Sequence, residues 1–164
     1  MNVVLAGMPG CGKSTLLNYF KNCGYIGFDT DEEIVKKYGD IPKIFENYGE
    51  EYFRKLETRT VKMLSKLQSA VIATGGGCLM RSENVEAFKK TGKIFYLKTD
   101  LITLLARVGN GEGRPLLKGD TEAKLKRLYE IRTPVFENVS DIILECGGLA
   151  PAEIAGKIIN LTGI

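Results

Sequence analysis

Residues 7–14 have the types and spacing of a phosphate-binding loop. They read G-M-P-G-C-G-K-S and fit the pattern G-x-x-x-x-G-K-[ST]. In such a loop the glycines let backbone N–H groups turn inward around phosphate oxygens, the lysine reaches the β- and γ-phosphates, and the last hydroxyl ligates Mg²⁺. An apolar run at 2–6 precedes the loop, and a helical pattern beginning near Lys13 directs its positive dipole end at the same anion. We therefore predict a site for a nucleoside triphosphate and Mg²⁺ formed by Gly10, Cys11, Gly12, Lys13, Ser14 and Thr15.

A phosphate-binding loop is shared by GTPases, mechanical ATPases and kinases of small molecules. The chain has neither the N-K-x-D nor the D-x-x-G signature of a GTPase. A mechanical ATPase normally ends a later core strand with an acidic pair, whereas the apolar run at 70–73 continues into Thr74-Gly75-Gly76-Gly77. These observations favour an ATP-dependent kinase of small metabolites.

Two carboxylates, Asp29 and Asp31, follow the second apolar run in the sequence F-D-T-D. The carboxyl end of a strand is where open parallel sheets bind ligands, so one carboxylate could serve the magnesium shell and the other an acceptor hydroxyl. The alternative is that one of them only caps the helix that we predict from Asp31. With the phosphate loop present, we favour the ligand-binding interpretation.

Arg54 and Glu57 share one face of a predicted helix, and three successive glycines follow a predicted strand. By itself, an Arg–Glu pair three residues apart indicates a surface ion pair. The glycines Gly75, Gly76 and Gly77 could offer several backbone N–H groups to a polar ligand. Their alternative is a plain turn, although three glycines exceed what a turn needs.

The elements that must position these residues alternate along the chain. Apolar runs predict strands at 2–6, 25–28, 70–73, 93–97 and 141–144. Helical patterns occupy 13–22, 31–38, 41–47, 50–67, 82–90, 100–107, 121–138 and 151–161. Five strands separated by helices predict an α/β fold with a parallel sheet covered on both faces. The segment 108–120 carries four glycines and a proline between two helices, which is typical of a mobile functional loop.

Composition narrows the class of protein further. A chain of 164 residues suits one domain, and a net charge of +3 without a long basic run does not indicate nucleic-acid binding. The four cysteines are scattered and histidine is absent, which makes a zinc site improbable. We find no secretory signal and no run of the roughly 20 apolar residues that a membrane span requires. We therefore expect a cytoplasmic protein with reduced thiols.

Taken together and in order, the motifs resemble those of the shikimate kinase family over nearly the whole chain. They are the phosphate loop, the D-T-D of 29–31, the series G-x-I-x-x-I-F-x-x-x-G-E-x-x-F-R-x-x-E of 39–57, the triple glycine, R-P-L-L at 114–117, and R-T-P at 132–134 followed by Phe136-Glu137. The resemblance implies a three-layer P-loop kinase fold like that of nucleoside-monophosphate kinases. The whole of 1–164 is then one kinase domain, with the phosphate loop at 7–14, an acceptor-binding region at about 29–60 and a mobile lid at about 108–120.

The resemblance also implies a role for each residue in transfer of phosphate from ATP to the 3-hydroxyl of shikimate, a step of aromatic amino acid biosynthesis. Asp31 would orient or deprotonate that hydroxyl, Arg54 and Arg132 would bind the carboxylate, and Gly75–Gly77 would contact the substrate. Asp29 would join Ser14 at one Mg²⁺ per subunit, and Glu57 would position Arg54. Lys13 and Arg114 would stabilise the transferred phosphate, and Arg107 would lie against adenine. Shikimate and ATP would be the only partners of a monomer.

Two positions depart from the family pattern, and other readings remain open. Cys11 stands where a small residue such as serine is usual, and Phe136 stands where a tyrosine is more frequent. Rival enzymes are a gluconate kinase, which would not need two carboxylate-binding arginines, and a nucleotide kinase, which should carry a longer acceptor insertion. A further rival is a module that binds ATP without turnover. The intact set of Lys13, Asp31, Arg54 and Arg132 argues against it.

Overall fold

The computed structural model describes residues 1–109 and 120–164. Its centre is a sheet of five parallel strands, with the order β2-β3-β1-β4-β5. The strands are β1 (Asn2–Ala6), β2 (Ile26–Asp29), β3 (Ala70–Ala73), β4 (Gly92–Lys98) and β5 (Ile142–Glu145). Every residue of β1 and β3 is buried, as expected for strands covered on both faces. The predicted α/β fold and its five strands are confirmed, with shifts of one residue at some strand ends.

Helices connect the strands and cover the sheet. In the described residues they are α1 (Lys13–Asn22), α2 (Thr30–Tyr38), α3 (Ile41–Leu64), α4 (Ser82–Lys89), α5 (Leu101–Val108), α6 (Thr121–Val139) and α7 (Pro151–Thr162). A short 3₁₀ helix at Cys78–Met80 follows the triple glycine. None of these helices is both long and apolar enough to span a membrane.

The helix α3 contains a break that the sequence pattern anticipated. Two helices were predicted, at 41–47 and 50–67, and the structure bends between them at Gly49, which has φ 82° and ψ 173°. Glycine tolerates this conformation because it lacks a Cβ. The second part of the helix ends at Leu64 rather than at residue 67. The bend allows the first part of α3 to lie over the site while the second part packs on the core.

The buried apolar residues form two clusters. The main core surrounds the sheet and includes Leu17, Phe20, Phe95 and Tyr96. A second cluster lies between α2 and α3, and we call it the α2–α3 cluster. Its buried members are Ile34, Ile44, Phe53 and Leu56, with the partly buried Tyr38, Ile41 and Phe45 packed against them.

The carboxyl ends of three neighbouring strands bring the predicted motifs together. Ala73, the last residue of β3, is in register with Asp29 of β2 and with Leu5 of β1. The phosphate loop after β1, the D-T-D turn after β2 and the triple glycine after β3 therefore leave the sheet side by side. The predicted lid at 108–120 lies outside the described residues except at its two ends, and Arg114 lies outside them with it.

Candidate active site

One cavity of about 510 Å³ opens at this edge of the sheet. Every predicted site residue within the described part of the chain lines it: Gly10, Cys11, Gly12, Lys13, Ser14, Thr15, Asp29, Asp31, Arg54, Gly75, Gly76, Gly77, Arg107 and Arg132. Ile41, Phe45 and Phe53 also line the cavity. All three belong to the 39–57 motif, and no role in the site was predicted for them.

The phosphate loop holds the ammonium group of Lys13 inside its own curve. Lys13 Nζ donates to the carbonyl oxygens of Gly7 (2.8 Å) and Met8 (3.0 Å) and lies 3.5 Å from Cys11 Sγ. The loop turns on glycines with positive φ, among them Gly12 at 99°, which precedes the first residue of α1. An incoming anion would therefore find a cation and a helix N-terminus at the same place.

The end of α5 packs directly against this loop. Arg107 Nη1 donates to the carbonyl oxygen of Gly10 at 3.3 Å. A Cβ on Gly10 would lie 2.9 Å from Cγ2 of Val108, and Gly10 has φ 84°, so both space and conformation require glycine there. The contact places Arg107 at the rim of the predicted nucleotide site.

Asp29 caps α2, as the capping alternative predicted, and the proposed metal-binding role of the same carboxylate stays a prediction. Its Oδ1 accepts from the backbone N–H groups of Asp31 (2.8 Å) and Glu32 (3.4 Å). Burial raises the pKa of Asp29 above its usual range, and the two hydrogen bonds oppose that shift. Only Oδ1 serves the cap, and Asp29 also lines the cavity.

Asp31 is a buried carboxylate with an unused acceptor. Its Oδ1 has no hydrogen-bond partner among the described residues. Burial, and then the charge of Asp29, raise the pKa of Asp31 to about 6. A buried acceptor without a donor is costly in an isolated protein, which indicates that a ligand supplies the donor.

The ion pair of Arg54 and Glu57 lies inside the protein, and the surface interpretation is wrong. The Glu57 side chain is 1% exposed and the Arg54 side chain 12%. Arg54 Nη1 donates to both carboxylate oxygens of Glu57, at 3.1 and 3.0 Å. Burial raises the pKa of Glu57 to about 7 in spite of this pairing. The exposed Glu50 is a weaker partner, 3.4 Å from Arg54 Nη2.

Arg132 is a buried cation on α6. Only 6% of the residue is exposed, and no carboxylate among the described residues forms an ion pair with it. Burial, and then the charge of Arg54, lower the pKa of Arg132 to about 10. Buried charges are normally paired, so this guanidinium indicates a site for an anion.

The triple glycine is explained by space rather than by backbone conformation, since none of the three has a positive φ. A Cβ on Gly75 would lie 2.8 Å from Asp31 Oδ1 and 3.1 Å from Glu57 Oε1. A Cβ on Gly76 would lie 2.9 Å from Arg132 Nη1, and one on Gly77 would lie 2.5 Å from Arg54 Nη2. Four charged side chains thus converge on the backbone of Gly75, Gly76 and Gly77, which carries no side chains and which we call the glycine floor.

The backbone N–H groups of this floor are only partly available to a ligand. The N–H of Gly75 donates to Thr30 Oγ1 at 2.9 Å. Those of Gly76 and Gly77 have no such partner in the part of the chain that the structure describes. Thr30 was not predicted as a site residue, although its position inside the D-T-D motif was a signal that it might be one.

The fold and the site define a P-loop kinase, with a phosphate-binding half and an acceptor half that suits a small anion. Comparison with known proteins names the family. The family model for shikimate kinase matches residues 9–162. The shikimate kinase of Caldicellulosiruptor bescii is 38% identical over 163 residues, which cover 98% of this chain and 94% of the relative. The chain therefore belongs to the shikimate kinase family, whose reaction is the ATP-dependent phosphorylation of shikimate.

Solved structures agree with this assignment. The shikimate kinase of Acinetobacter baumannii, in complex with shikimate, has a TM-score of 0.91 at 36% identity and covers 98% of this chain and 91% of its own. The shikimate kinase of Aquifex aeolicus has a TM-score of 0.83 at 32% identity, with 100% of both chains covered.

Proposed function

We propose that this kinase transfers the γ-phosphoryl group of ATP to the 3-hydroxyl of shikimate through the residues described above, giving 3-phosphoshikimate and ADP. The observation that carries the proposal is that one cavity contains two side chains that lack an ion-pair or hydrogen-bond partner among the described residues. In the part of the chain that the structure describes, Arg132 is a buried cation without a carboxylate partner, and Oδ1 of Asp31 is a buried acceptor without a donor. A small molecule with both a carboxylate and hydroxyl groups satisfies the two together.

Arg54 and Arg132 bind the substrate carboxylate in this proposal. Planar guanidinium groups suit a carboxylate because they can donate two parallel hydrogen bonds. Glu57 holds Arg54 in place. The absence of side chains on Gly75, Gly76 and Gly77 lets the cyclohexene ring of shikimate approach the backbone. The N–H groups of Gly76 and Gly77 remain to donate to the substrate.

Asp31 orients the 3-hydroxyl and accepts its proton as the oxygen attacks the γ-phosphorus. A carboxylate with a pKa of about 6 is still ionised at neutral pH and binds a proton more readily than an ordinary aspartate. The bond between the γ-phosphorus and the ADP oxygen breaks as the new P–O bond forms, and ADP leaves with the electron pair. Proton transfer to Asp31 accompanies this step. Because phosphoryl transfer leaves the protein little covalent chemistry to do, positioning and charge neutralisation carry most of the rate.

Lys13 exchanges the carbonyl oxygens of Gly7 and Met8 for the phosphates of ATP. Ser14 and Asp29 would hold one Mg²⁺, because their hydroxyl and carboxylate oxygens are the hard donors that this ion prefers. Two protein donors are enough, since Mg²⁺ in kinase sites is usually held by only one or two protein groups. When bound, the ion neutralises charge on the phosphates. Arg114 adds positive charge from the lid, and Arg107 lies against the adenine.

We further propose that residues 1–164 form a single kinase domain that acts as a cytoplasmic monomer. The four cysteines are all free thiols, as a reducing compartment requires. Sedimentation at micromolar concentration tests the oligomeric state, and a dimer would contradict the proposal.

The deciding experiment measures ADP release from MgATP with shikimate, gluconate or quinate as the acceptor. We expect turnover that depends on shikimate and a phosphorus NMR signal from a phosphate ester on the 3-oxygen. Stimulation by gluconate alone would overturn the acceptor assignment. ATP binding without stimulation by any acceptor would favour the module that binds ATP without turnover.

A further inference from the structure

Two buried threonines connect the halves of the site. Thr30 is 0% exposed and Thr74 is 2% exposed. We propose that Thr30 and Thr74 are positioning residues that fix the separation between the phosphate loop and the acceptor carboxylate of Asp31. This inference rests on the proposed function, because it assumes that Asp31 must meet a hydroxyl aligned with the bound phosphate.

Thr74 fastens the triple glycine to the strand that carries the phosphate loop. Its backbone N–H and its Oγ1 both donate to the carbonyl oxygen of Leu5, each at 3.0 Å. Leu5 lies in β1, two residues before Gly7, where the loop begins. One threonine thus makes two bonds to the base of the phosphate loop.

Thr30 fastens the triple glycine to the acceptor turn. Its Oγ1 accepts from the N–H of Gly75 at 2.9 Å in a fully buried position. Thr30 lies between Asp29 and Asp31, and the turn itself is closed by the bond from Asp31 N–H to Asp29 Oδ1 at 2.8 Å. The Cβ position of Gly75 is 2.8 Å from Asp31 Oδ1, so Gly75 and Asp31 are fixed against each other.

The two threonines continue the sheet where its backbone pairing stops. The last paired residues are Asp29, Ala73 and Leu5, on three neighbouring strands. Beyond them the Thr30 hydroxyl accepts from the Gly75 N–H in place of a backbone carbonyl, and the Thr74 hydroxyl adds a second bond to the carbonyl of Leu5. The connected path runs from Leu5 through Thr74 and Gly75 to Thr30 and its neighbour Asp31. It joins the phosphate half to the acceptor half entirely through buried bonds.

Phosphoryl transfer is sensitive to this separation. A reacting pair that is displaced by about 1 Å can lose roughly 100-fold in rate even when binding is intact. Loss of the Thr30 hydroxyl also leaves the buried N–H of Gly75 without an acceptor, and that N–H will then move toward another one. The expected result is a lower rate of transfer with both substrates still bound.

The experiment compares Thr30→Ser with Thr30→Ala, which differ by one oxygen atom and lack the same methyl group. We expect kcat for phosphoryl transfer to be at least about tenfold lower in Thr30→Ala than in Thr30→Ser. The KM for MgATP and the slow hydrolysis of ATP without shikimate should agree within about twofold between the two variants. A purely structural role would instead lower the melting temperature and leave kcat per folded molecule equal.

Thr60 provides the matched control. It is buried, and its hydroxyl donates only to the carbonyl of Leu56 in its own helix, at 3.0 Å. We expect Thr60→Ser and Thr60→Ala to have equal kcat values. A second pair, Thr74→Ser and Thr74→Ala, keeps the proposal testable if Thr30→Ala does not fold. Its effect should be smaller, about threefold, because the backbone N–H of Thr74 still bonds Leu5.

Equal kcat values for the serine and alanine variants at position 30 would overturn the inference. If Thr30→Ala does not fold, equal values for the pair at position 74 would overturn it. Failure of the proposed function is a separate result, since the unmodified protein itself would then show no turnover with shikimate.

Discussion

Arg54 and Glu57 are joined through a single guanidinium nitrogen, because Nη1 of Arg54 donates to both carboxylate oxygens of Glu57. The arrangement leaves Nη2 of the same guanidinium turned toward Gly77 and the cavity. Glu57 thus fixes the arginine through Nη1, while Nη2 lies near Gly77 and has, among the described residues, only the exposed Glu50 as a partner, at 3.4 Å. The pair therefore orients the positive charge of Arg54 toward the cavity.

Replacing Glu57 with glutamine should weaken the orientation of Arg54. We expect Glu57→Gln to raise the KM for shikimate by about tenfold or more, since a neutral amide holds Arg54 less firmly. The KM for MgATP should stay within about twofold, because none of the ATP-binding residues in the described part of the chain is a hydrogen-bond or ion-pair partner of Glu57. Glu50→Gln is the matched control, since Glu50 is 53% exposed and 3.4 Å from Arg54. A similar KM increase in both variants would contradict the proposal that Glu57 orients Arg54.

The pH dependence of stability should also report on Glu57. Burial raises its pKa in the folded protein to about 7, whereas an ordinary glutamate has a pKa of 4.5. Between these two values the folded state binds more protons than the unfolded state, so the free energy of unfolding falls as pH rises from 5 to 7. The contribution of this group is at most about 3 kcal/mol.

Urea unfolding at several pH values between 5 and 8 measures this effect. We expect the decline in the free energy of unfolding to be smaller in Glu57→Gln than in the unmodified protein. Asp31, whose pKa is raised to about 6, adds a decline in the same direction that persists in the variant. Identical slopes for the two proteins would show that Glu57 does not titrate in this range.

Arg132 should lower the free energy of unfolding of the protein, although it enables shikimate to bind. Arg132→Met removes a buried cation that has no carboxylate partner among the described residues and keeps an apolar chain of similar length, so we expect the free energy of unfolding to increase by about 1–3 kcal/mol. The same variant should lose most of its affinity for shikimate and keep its affinity for MgATP. Calorimetric titration with each ligand, together with thermal unfolding, checks both effects. An equal fall in ATP binding would remove Arg132 from the acceptor half.

A methyl group on the glycine floor should interfere with substrate binding. In Gly76→Ala the new Cβ would lie 2.9 Å from Arg132 Nη1, and the guanidinium would have to move away. We expect the KM for shikimate to rise by about tenfold, with little change for MgATP. Gly156→Ala is the control: it lies within α7 with no atom near the new Cβ, and it should stabilise the protein by up to about 1 kcal/mol. Unchanged shikimate kinetics in Gly76→Ala would refute the steric explanation of the floor.

Asp31→Asn should separate binding from turnover. The amide keeps the size of the side chain but no longer accepts the hydroxyl proton, so we expect kcat to fall by about 100-fold or more. Binding of MgATP, followed with a fluorescent nucleotide analogue, should be unchanged. A rate like that of the unmodified protein would exclude Asp31 from the reaction.

Local sequence patterns were enough to predict the sheet, the helices and the phosphate loop. The loop is encoded by Gly7, Gly10, Gly12, Lys13 and Ser14, all within eight residues, so that chain neighbours alone determine its shape. The D-T-D turn was also visible, although the sequence could not show that Asp29 both caps α2 and lines the cavity.

Features that depend on distant residues were not predictable in the same way. Thr30 and Gly75 are 45 positions apart, and only the order of the strands brings them together. The triple glycine was interpreted through its N–H groups, whereas its absence of side chains makes room for Asp31, Arg54, Glu57 and Arg132. The burial of Glu57 was missed because spacing on a helix does not reveal what lies opposite it.

The α2–α3 cluster gives the acceptor half a hydrophobic core of its own, separate from the one beneath the phosphate loop. A segment with its own core can be exchanged as a unit, because its apolar contacts are mostly satisfied internally. In evolutionary terms, mutations between Thr30 and Leu56 can reshape the acceptor half with little effect on the main core, whereas Val61 and Leu64 of α3 belong to that core. For enzyme engineering, the same boundary marks where a segment from another small-molecule kinase could be grafted while the sheet and its loop are retained.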